Sequence, residues 1–248
     1  MNIKKFDYFI FDLDGTFWNY PSLIEGSEEV YKRLIEMGKK VLFVSNFTYL
    51  DRDGIVKIFK RNGIDVEKNQ IITSGYVASV LLKGKKVFPI GDGLKSELKK
   101  NGIKVGDEDV DAVVVGHDVN YNYKKATKAL KLLLEGSEFY TTAIGRVWIF
   151  KDEIVPGTGL IFSGLEFCSG KKAIMLGKPS NFMVETLKKM INDGKVIYFG
   201  DEAYADMEFA KKAGFYSVFV RSGVDKNIKK VKANLVLDSL KDLLKFLE

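Results

Sequence analysis

The stretch FIFDLDGTFW, residues 9 to 18, decides how the rest of the chain is read. With Tyr8 in front, residues 8 to 11 form the unbroken apolar run expected of a strand covered on both faces. The run ends in two acids, Asp12 and Asp14. Side chains alternate along a strand, so residues two apart share one side, and two carboxylates held together repel unless a proton or a cation lies between them. Three readings compete. Asp14-Gly15 between apolar stretches is a hairpin-turn signal, but residues 16 to 21, Thr-Phe-Trp-Asn-Tyr-Pro, do not alternate like a returning strand. A calcium loop of the EF-hand type, counted from Asp12, would put Phe17 where glycine is obligatory and Leu23 where the bidentate glutamate belongs, which excludes it. The third reading is a catalytic magnesium site at the carboxyl end of a parallel strand, where open α/β sheets bind ligands. On this stretch alone the turn and the metal site both stand.

The whole chain narrows the class. Its 248 residues suffice for one large domain or two modest ones, and an apolar fraction of 46% is that of an ordinary globular protein. No run has the length of a membrane span, and residues 1 to 7 lack the apolar stretch of a signal peptide. The single Cys168 cannot form an internal disulfide, so a reducing cytoplasm is the expected location, with Cys168 a buried, inert thiol. The net charge of +6 comes from lysines in scattered pairs such as Lys99-Lys100 and Lys188-Lys189, the pattern of solvated helix faces rather than of a nucleic-acid stripe. A mild positive field would gather small anionic substrates. The abundance of Lys, Ile and Val beside one Gln and one Cys hints at a heat-adapted source.

Periodicity gives the organisation. A helical pattern covers residues 27 to 37 and closes at Gly38. A buried strand follows at 41 to 44, a helix at about 51 to 62 and a strand at 70 to 73. This βαβαβ order is the start of a doubly wound parallel sheet. The rhythm returns with a helix at 183 to 192, strands at 196 to 199 and 217 to 220, a helix at 206 to 213, a strand at 234 to 237 and a final helix from Asp238. Between them, about a hundred residues carry their own α/β elements: strands at 87 to 90, 112 to 115, 139 to 142 and 147 to 150, with helices at 94 to 101 and 123 to 134. The expected division is a core of residues 1–75 and 173–248 and an inserted domain of residues 76–172, with boundaries near Gly75 and Gly170.

Other strand ends bear on the two acids. The strand ending at Val44 runs into Ser45-Asn46, a hydroxyl and an amide ahead of a helix, which suits a phosphate or a plain N-cap. The strand ending at Phe199 runs into Gly200-Asp201, with Asp206 opening the next helix as a cap or a support. Lys178-Pro179-Ser180 begins a helix with a cation at its N-terminus, where the dipole disfavours it unless an anion binds there. His117, the only histidine, is expected to be structural, and Trp18, Tyr20 and Trp148 to be packing residues.

The order Asp12-Leu13-Asp14-Gly15-Thr16, Ser45-Asn46, Lys178-Pro179 and Gly200-Asp201 with Asp206 resembles that of the haloacid dehalogenase superfamily over nearly the whole chain. The 31 residues from Asp14 to Ser45 leave no room for an inserted domain, whereas Ser45 to Lys178 spans 133, so the chain resembles the second (C2) cap class and, within it, the NagD-like phosphatases. Residues 89 to 94 (Pro-Ile-Gly-Asp-Gly-Leu), 113 to 118 (Val-Val-Val-Gly-His-Asp) and 155 to 159 (Val-Pro-Gly-Thr-Gly) are similar to that family's segments. The resemblance implies an α/β fold with a capped doubly wound core, and a Mg²⁺-dependent phosphatase acting on small-molecule phosphomonoesters. It implies Asp12 as nucleophile, Asp14 as general acid/base, and Mg²⁺ held by Asp12, the main-chain carbonyl of Asp14 and Asp201, with Asp206 orienting them. It implies Ser45, Asn46 and Lys178 as the residues that hold the phosphoryl oxygens, a small phosphorylated metabolite as partner, and a homodimer as a possible assembly. The chain departs from the family pattern at Phe47, where a second Asn is usual, and in lacking Thr-Asn-x-Asp near Thr141. The alternatives are a receiver-like phosphoacceptor domain and a phosphotransferase or mutase of the same superfamily. A dehalogenase is disfavoured because Asp14 supplies an acid/base that such enzymes lack.

Overall fold

The computed structural model describes residues 3–151 and 153–247. Six parallel strands form the main sheet in the order Leu235–Leu237, Tyr216–Val220, Val196–Gly200, Tyr8–Phe11, Lys40–Ser45 and Ile71–Thr73. Tyr8–Phe11 lies in the middle because the chain first winds outward through Lys40–Ser45 and later returns to build the other half from Val196 onward. Asp12 therefore leaves the sheet at its topological switch point, the crevice where such sheets bind ligands.

Burial on both faces explains the apolar strands. Phe9, Phe11, Val41, Phe43, Ile197 and Phe199 pack on one side with Val30, Leu34, Ile55 and Phe59 of the helices Ser27–Glu36 and Arg52–Arg61. Their neighbours Tyr8, Ile10, Leu42, Val44 and Tyr198 pack on the other side with Met183, Leu187, Phe209 and Ala210 of the helices Asn181–Lys188 and Ala205–Ala213. The period-two alternation thus divides one apolar run between two cores.

A second parallel sheet has the order Ile174–Met175, Glu138–Thr141, Ala112–Val115, Lys86–Ile90 and Lys104–Val105. The helices Tyr123–Leu134 and Gly159–Ser169 cover one of its faces through Leu132, Leu133, Ile161 and Leu165. Its other face, with Val87, Ala112 and Val114, joins the core that contains Leu42 and Val44. The fold is the doubly wound α/β core with an inserted α/β domain. Its edge strand Ile174–Met175 extends two to three residues past position 172.

Local readings differ from the structure in several places. Gly75 lies inside a helix, Ser74–Leu81, capped by Thr73 accepting from Tyr76 N. This helix went unread because its apolar residues surround it instead of forming a stripe. Gly170 ends the helix Gly159–Ser169 in the left-handed conformation, φ 70°. Cys168 is exposed. Its apolar surroundings pointed inward, but only Ile161 and Leu165 of that helix are buried, and its last turn, with Phe167 90% exposed, is not. A short hairpin does follow the acids, Trp18–Asn19 with Ser22–Leu23, but its turn is Tyr20-Pro21 and not Asp14-Gly15.

Candidate active site

Asp12 continues its strand through its N–H, which donates to Phe199 O at 2.8 Å. The chain then closes a tight loop on Leu13 O, which accepts from the N–H groups of Thr16, Phe17 and Trp18 at 3.2, 2.8 and 3.0 Å. Gly15 makes this possible with φ +76°, and a Cβ there would stand 2.6 Å from Asp201 Oδ2. The loop brings Thr16 Oγ1 to donate to Asp201 Oδ1 at 3.0 Å, while Val224 N donates to Asp201 Oδ2 at 2.9 Å.

Lys178 stands between the acids. Its Nζ lies 2.5 Å from Asp12 Oδ1, 2.7 Å from Asp206 Oδ1 and 3.0 Å from the Tyr198 hydroxyl. Both oxygens of Asp206 are engaged, Oδ1 by Lys178 and by Tyr198 OH at 2.6 Å, Oδ2 by the N–H groups of Asp201 and Glu202 at 3.0 and 2.9 Å. Asp206 thus orders the loop that presents Asp201 instead of capping its own helix, whose N-cap is Tyr204. Asn46 bonds the main chain of Lys178 twice, Oδ1 accepting from Lys178 N at 2.7 Å and Nδ2 donating to Lys178 O at 3.2 Å. Ser45 Oγ accepts from Phe47 N at 3.1 Å, and Ser45 is buried at its strand end. Asp14 accepts from the indole N–H of Trp18 at 2.9 Å.

The electrostatics follow from burial. Asp12, Lys178, Asp201 and Asp206 are each at most 4% exposed. Burial pushes Asp12 up to about 7, against the pull of Lys178. It pushes Asp14 up to about 8, with Asp12 adding to the rise. Asp201 is driven well above the carboxylate range by burial and by Asp12 and Asp206. Burial works against the Lys178 charge, but the two carboxylates prevail and hold it protonated. In an acid excess of this kind, with carboxylate oxygens of Asp12, Asp201 and Asp206 all within 4.8 Å of one another, Asp12 and Asp201 offer hard oxygen donors suited to a small divalent cation.

Above the acids is a cavity of about 250 Å³. Asp12, Asp14, Ser45, Asn46 and Lys178 line its floor, and Phe47, His117, Arg146 and Trp148 its upper wall. His117 joins the two sheets. Its main-chain N–H donates to Thr48 Oγ1 at 2.9 Å, its Nδ1 is 3.1 Å from the same oxygen, and its ring lies 4.7 Å from that of Trp148. Burial lowers its pKa to about 4, so the ring is neutral.

Sequence reading took in Thr16 only as the end of the first motif, without its bond to Asp201, and missed Trp18 and Tyr198 as parts of this site. Tyr198 was hidden in an apolar strand and Trp18 among phenylalanines. Neither residue carries a local signal of its partner, since Tyr198 meets Asp206 across a loop and Trp18 meets Asp14 only through the turn.

Residues 9–104 match the family described as haloacid dehalogenase-like hydrolase, and residues 175–243 match the one described as HAD-hydrolase-like. A 4-nitrophenylphosphatase of Schizosaccharomyces pombe is 30% identical over 90% of this chain and 86% of its own length. The chain belongs to the haloacid dehalogenase-like hydrolases. A crystal structure of a 4-nitrophenylphosphatase from Thermotoga maritima superposes on this hydrolase with a TM-score of 0.90 at 28% identity, covering 100% of both chains. NagD from Escherichia coli K-12, 24% identical, shares the fold with a TM-score of 0.83 over 96% of this chain and 98% of its own. With a solved structure described as a putative nagD protein also similar, at 29% identity and a TM-score of 0.87, this haloacid dehalogenase-like hydrolase is a NagD-like phosphomonoester hydrolase. Among its described residues no helix is long and apolar enough to cross a membrane.

Proposed function

We propose that the protein is a Mg²⁺-dependent phosphatase of small-molecule phosphomonoesters, such as sugar phosphates, nucleotides or p-nitrophenyl phosphate, working in the cytoplasm through an aspartyl-phosphate on Asp12. The observation that carries this reading is the buried cation between two carboxylates: Lys178 Nζ lies 2.5 Å from Asp12 and 2.7 Å from Asp206, directly under a cavity. That arrangement suits a phosphoryl group, whose oxygens would take up the ammonium beside the attacking carboxylate. Asp12 and Asp201, with the main-chain carbonyl of Asp14, would hold the metal, and Asp206, saturated by four donors, would orient them. When bound, Mg²⁺ supplies the positive charge that keeps Asp12 ionised and offsets charge on the phosphoryl oxygens.

The steps follow from these residues. A carboxylate oxygen of Asp12 attacks phosphorus, the bond to the ester oxygen breaks, and that oxygen takes the proton of Asp14 as it leaves. Burial, with the charge of Asp12, raises Asp14 and so favours the protonated form that acts as donor. Asp14 then accepts a proton from a water that attacks the aspartyl-phosphate, releasing phosphate and restoring both acids. Lys178 and Ser45 hold the phosphoryl oxygens throughout, and Asn46 fixes the lysine segment to the serine loop. Residues 76–172 act as a cap that meets the leaving group, which makes this wall the seat of selectivity.

Turnover of p-nitrophenyl phosphate should vanish in EDTA and return with Mg²⁺, and Asp201→Ala should raise the Mg²⁺ concentration needed for half-activity at least about tenfold. Full activity in chelator would remove the metal from this reading. Incorporation of one phosphate per chain without turnover would favour a receiver-like phosphoacceptor.

A further inference from the structure

The geometry points to Trp18 as a positioning residue for the proton transfer, its indole N–H holding Asp14 Oδ1 so that the other carboxyl oxygen, Oδ2, carries and delivers the proton. This rests on the acid/base reading of Asp14.

Four observations lead to it. The indole N–H donates to Asp14 Oδ1 at 2.9 Å, and among the described residues no other side chain bonds that carboxyl. Asp14 lines the cavity and is half-buried, so one oxygen is engaged by the protein while the group as a whole faces the space where the ester would sit. The donor is held independently of its acceptor. Trp18 is 0% exposed, its ring lies 5.5 Å from those of Phe47 and Phe59, and its main chain is tied to Leu13 O and Gly15 N at 3.0 and 2.9 Å. Finally, the rings packed against Trp18 are those of Phe47, Phe59 and Tyr20. Packing around Trp18 is met by phenyl and phenol rings, and the indole occurs at the position whose N–H has a carboxylate to meet.

The chemistry follows. A carboxylic acid has one oxygen that donates and one that accepts, and an N–H donor on Oδ1 reserves that oxygen as the acceptor. As Asp12 forms its bond to phosphorus and the ester bond breaks, its electron pair goes to the leaving oxygen, which takes the proton from Oδ2. Asp14 becomes a carboxylate, and its bond to the indole strengthens because the acceptor is now charged. The indole therefore stabilises the state after proton transfer more than the state before it, which is the condition for a contribution to rate. In the second half-reaction the same bond leaves Oδ2 to receive the proton of the attacking water.

The test uses leaving groups of graded acidity, because an acidic phenol departs without a proton and an alkyl alcohol does not. We compare kcat/KM for p-nitrophenyl phosphate and glycerol phosphate in the wild type, Trp18→Phe and Asp14→Asn. Trp18→Phe should lower kcat/KM for glycerol phosphate about tenfold or more and for p-nitrophenyl phosphate less than about threefold, with Asp14→Asn graded in the same direction and more strongly. An equal loss on both esters in Trp18→Phe, or none, beside a graded loss in Asp14→Asn, overturns the role of Trp18 and leaves that of Asp14. An ungraded Asp14→Asn overturns both. If Trp18→Phe does not fold, benzothienylalanine at position 18, which keeps the ring size and replaces N–H with sulfur, should show the same graded loss, and an ungraded result with it overturns the proposal.

Discussion

The floor and the upper wall of the cavity are built on opposite principles. On the floor, Asp12 and Lys178 are buried and paired with each other, and Asp201 and Asp206 beneath them are buried with two or more partners each. On the wall, Arg146 is exposed and makes no salt bridge among the described residues, while Ile144 and Val147 are 36% and 42% exposed. A buried charge deprived of its partner is costly, so the floor admits few substitutions. An exposed guanidinium is solvated whatever it faces, so position 146 can change without threatening the fold. The difference teaches a division of labour: a fixed floor for the group that every substrate shares, and a variable wall for the group that distinguishes them.

The floor gives the largest expected effect. Asp12→Asn should reduce phosphate release by at least about a thousandfold, because the amide is not a nucleophile, while the thermal unfolding temperature stays within a few degrees of the wild type or rises. Retention of a tenth of the activity in contaminant-free protein would break the comparison, since chemistry would then not originate on the floor.

A second expectation sets floor against wall. Lys178→Ala should slow all members of a panel of sugar phosphates, nucleotides, glycerol phosphate, phosphoglycolate and pyridoxal phosphate by a similar factor, about 10² to 10³, because all share the phosphoryl group. Arg146→Ala should leave esters without a second anionic group nearly unchanged and lower kcat/KM up to about tenfold for esters that carry one. A reordering of the panel by Lys178→Ala, or a uniform loss from Arg146→Ala, would reverse the roles.

The smallest effect lies where floor and wall meet. Burial lowers the His117 pKa to about 4, below its ordinary 6.5, so the folded state favours the neutral ring. The stability this provides is fully present above about pH 6.5 and is lost as pH falls toward 4. Unfolding temperatures of the wild type and His117→Asn, measured between pH 7.5 and 4.5, should therefore converge as the pH is lowered. A constant separation across that range would show that the ring is not held neutral at the joint.

Much of the floor was legible in the chain because each of its residues ends a strand or opens a helix. Asp12, Ser45 and Asp201 follow apolar runs at which a doubly wound sheet must stop, and parallel connectivity brings those ends to one edge. Asp14 followed from Asp12 by period two. Lys178 was recognised from a cation placed against a helix dipole. The helix Gly159–Ser169 and the hairpin strand Glu153–Pro156 escaped, since neither has an amphipathic period that separates inside from outside.

The sequence by itself determined the sheet, its switch point and the acids at its carboxyl edge, because strand burial and side-chain alternation are local properties of consecutive residues. Only the tertiary structure decided that Trp18 meets Asp14, that Tyr198 and Asp206 flank Lys178, and that His117 and Trp148 close over Phe47. Those contacts join residues from separate loops and both sheets. A ring in an apolar run reads the same whether its polar edge finds water, a carboxylate or another ring, and the partner is settled by the packing of distant segments.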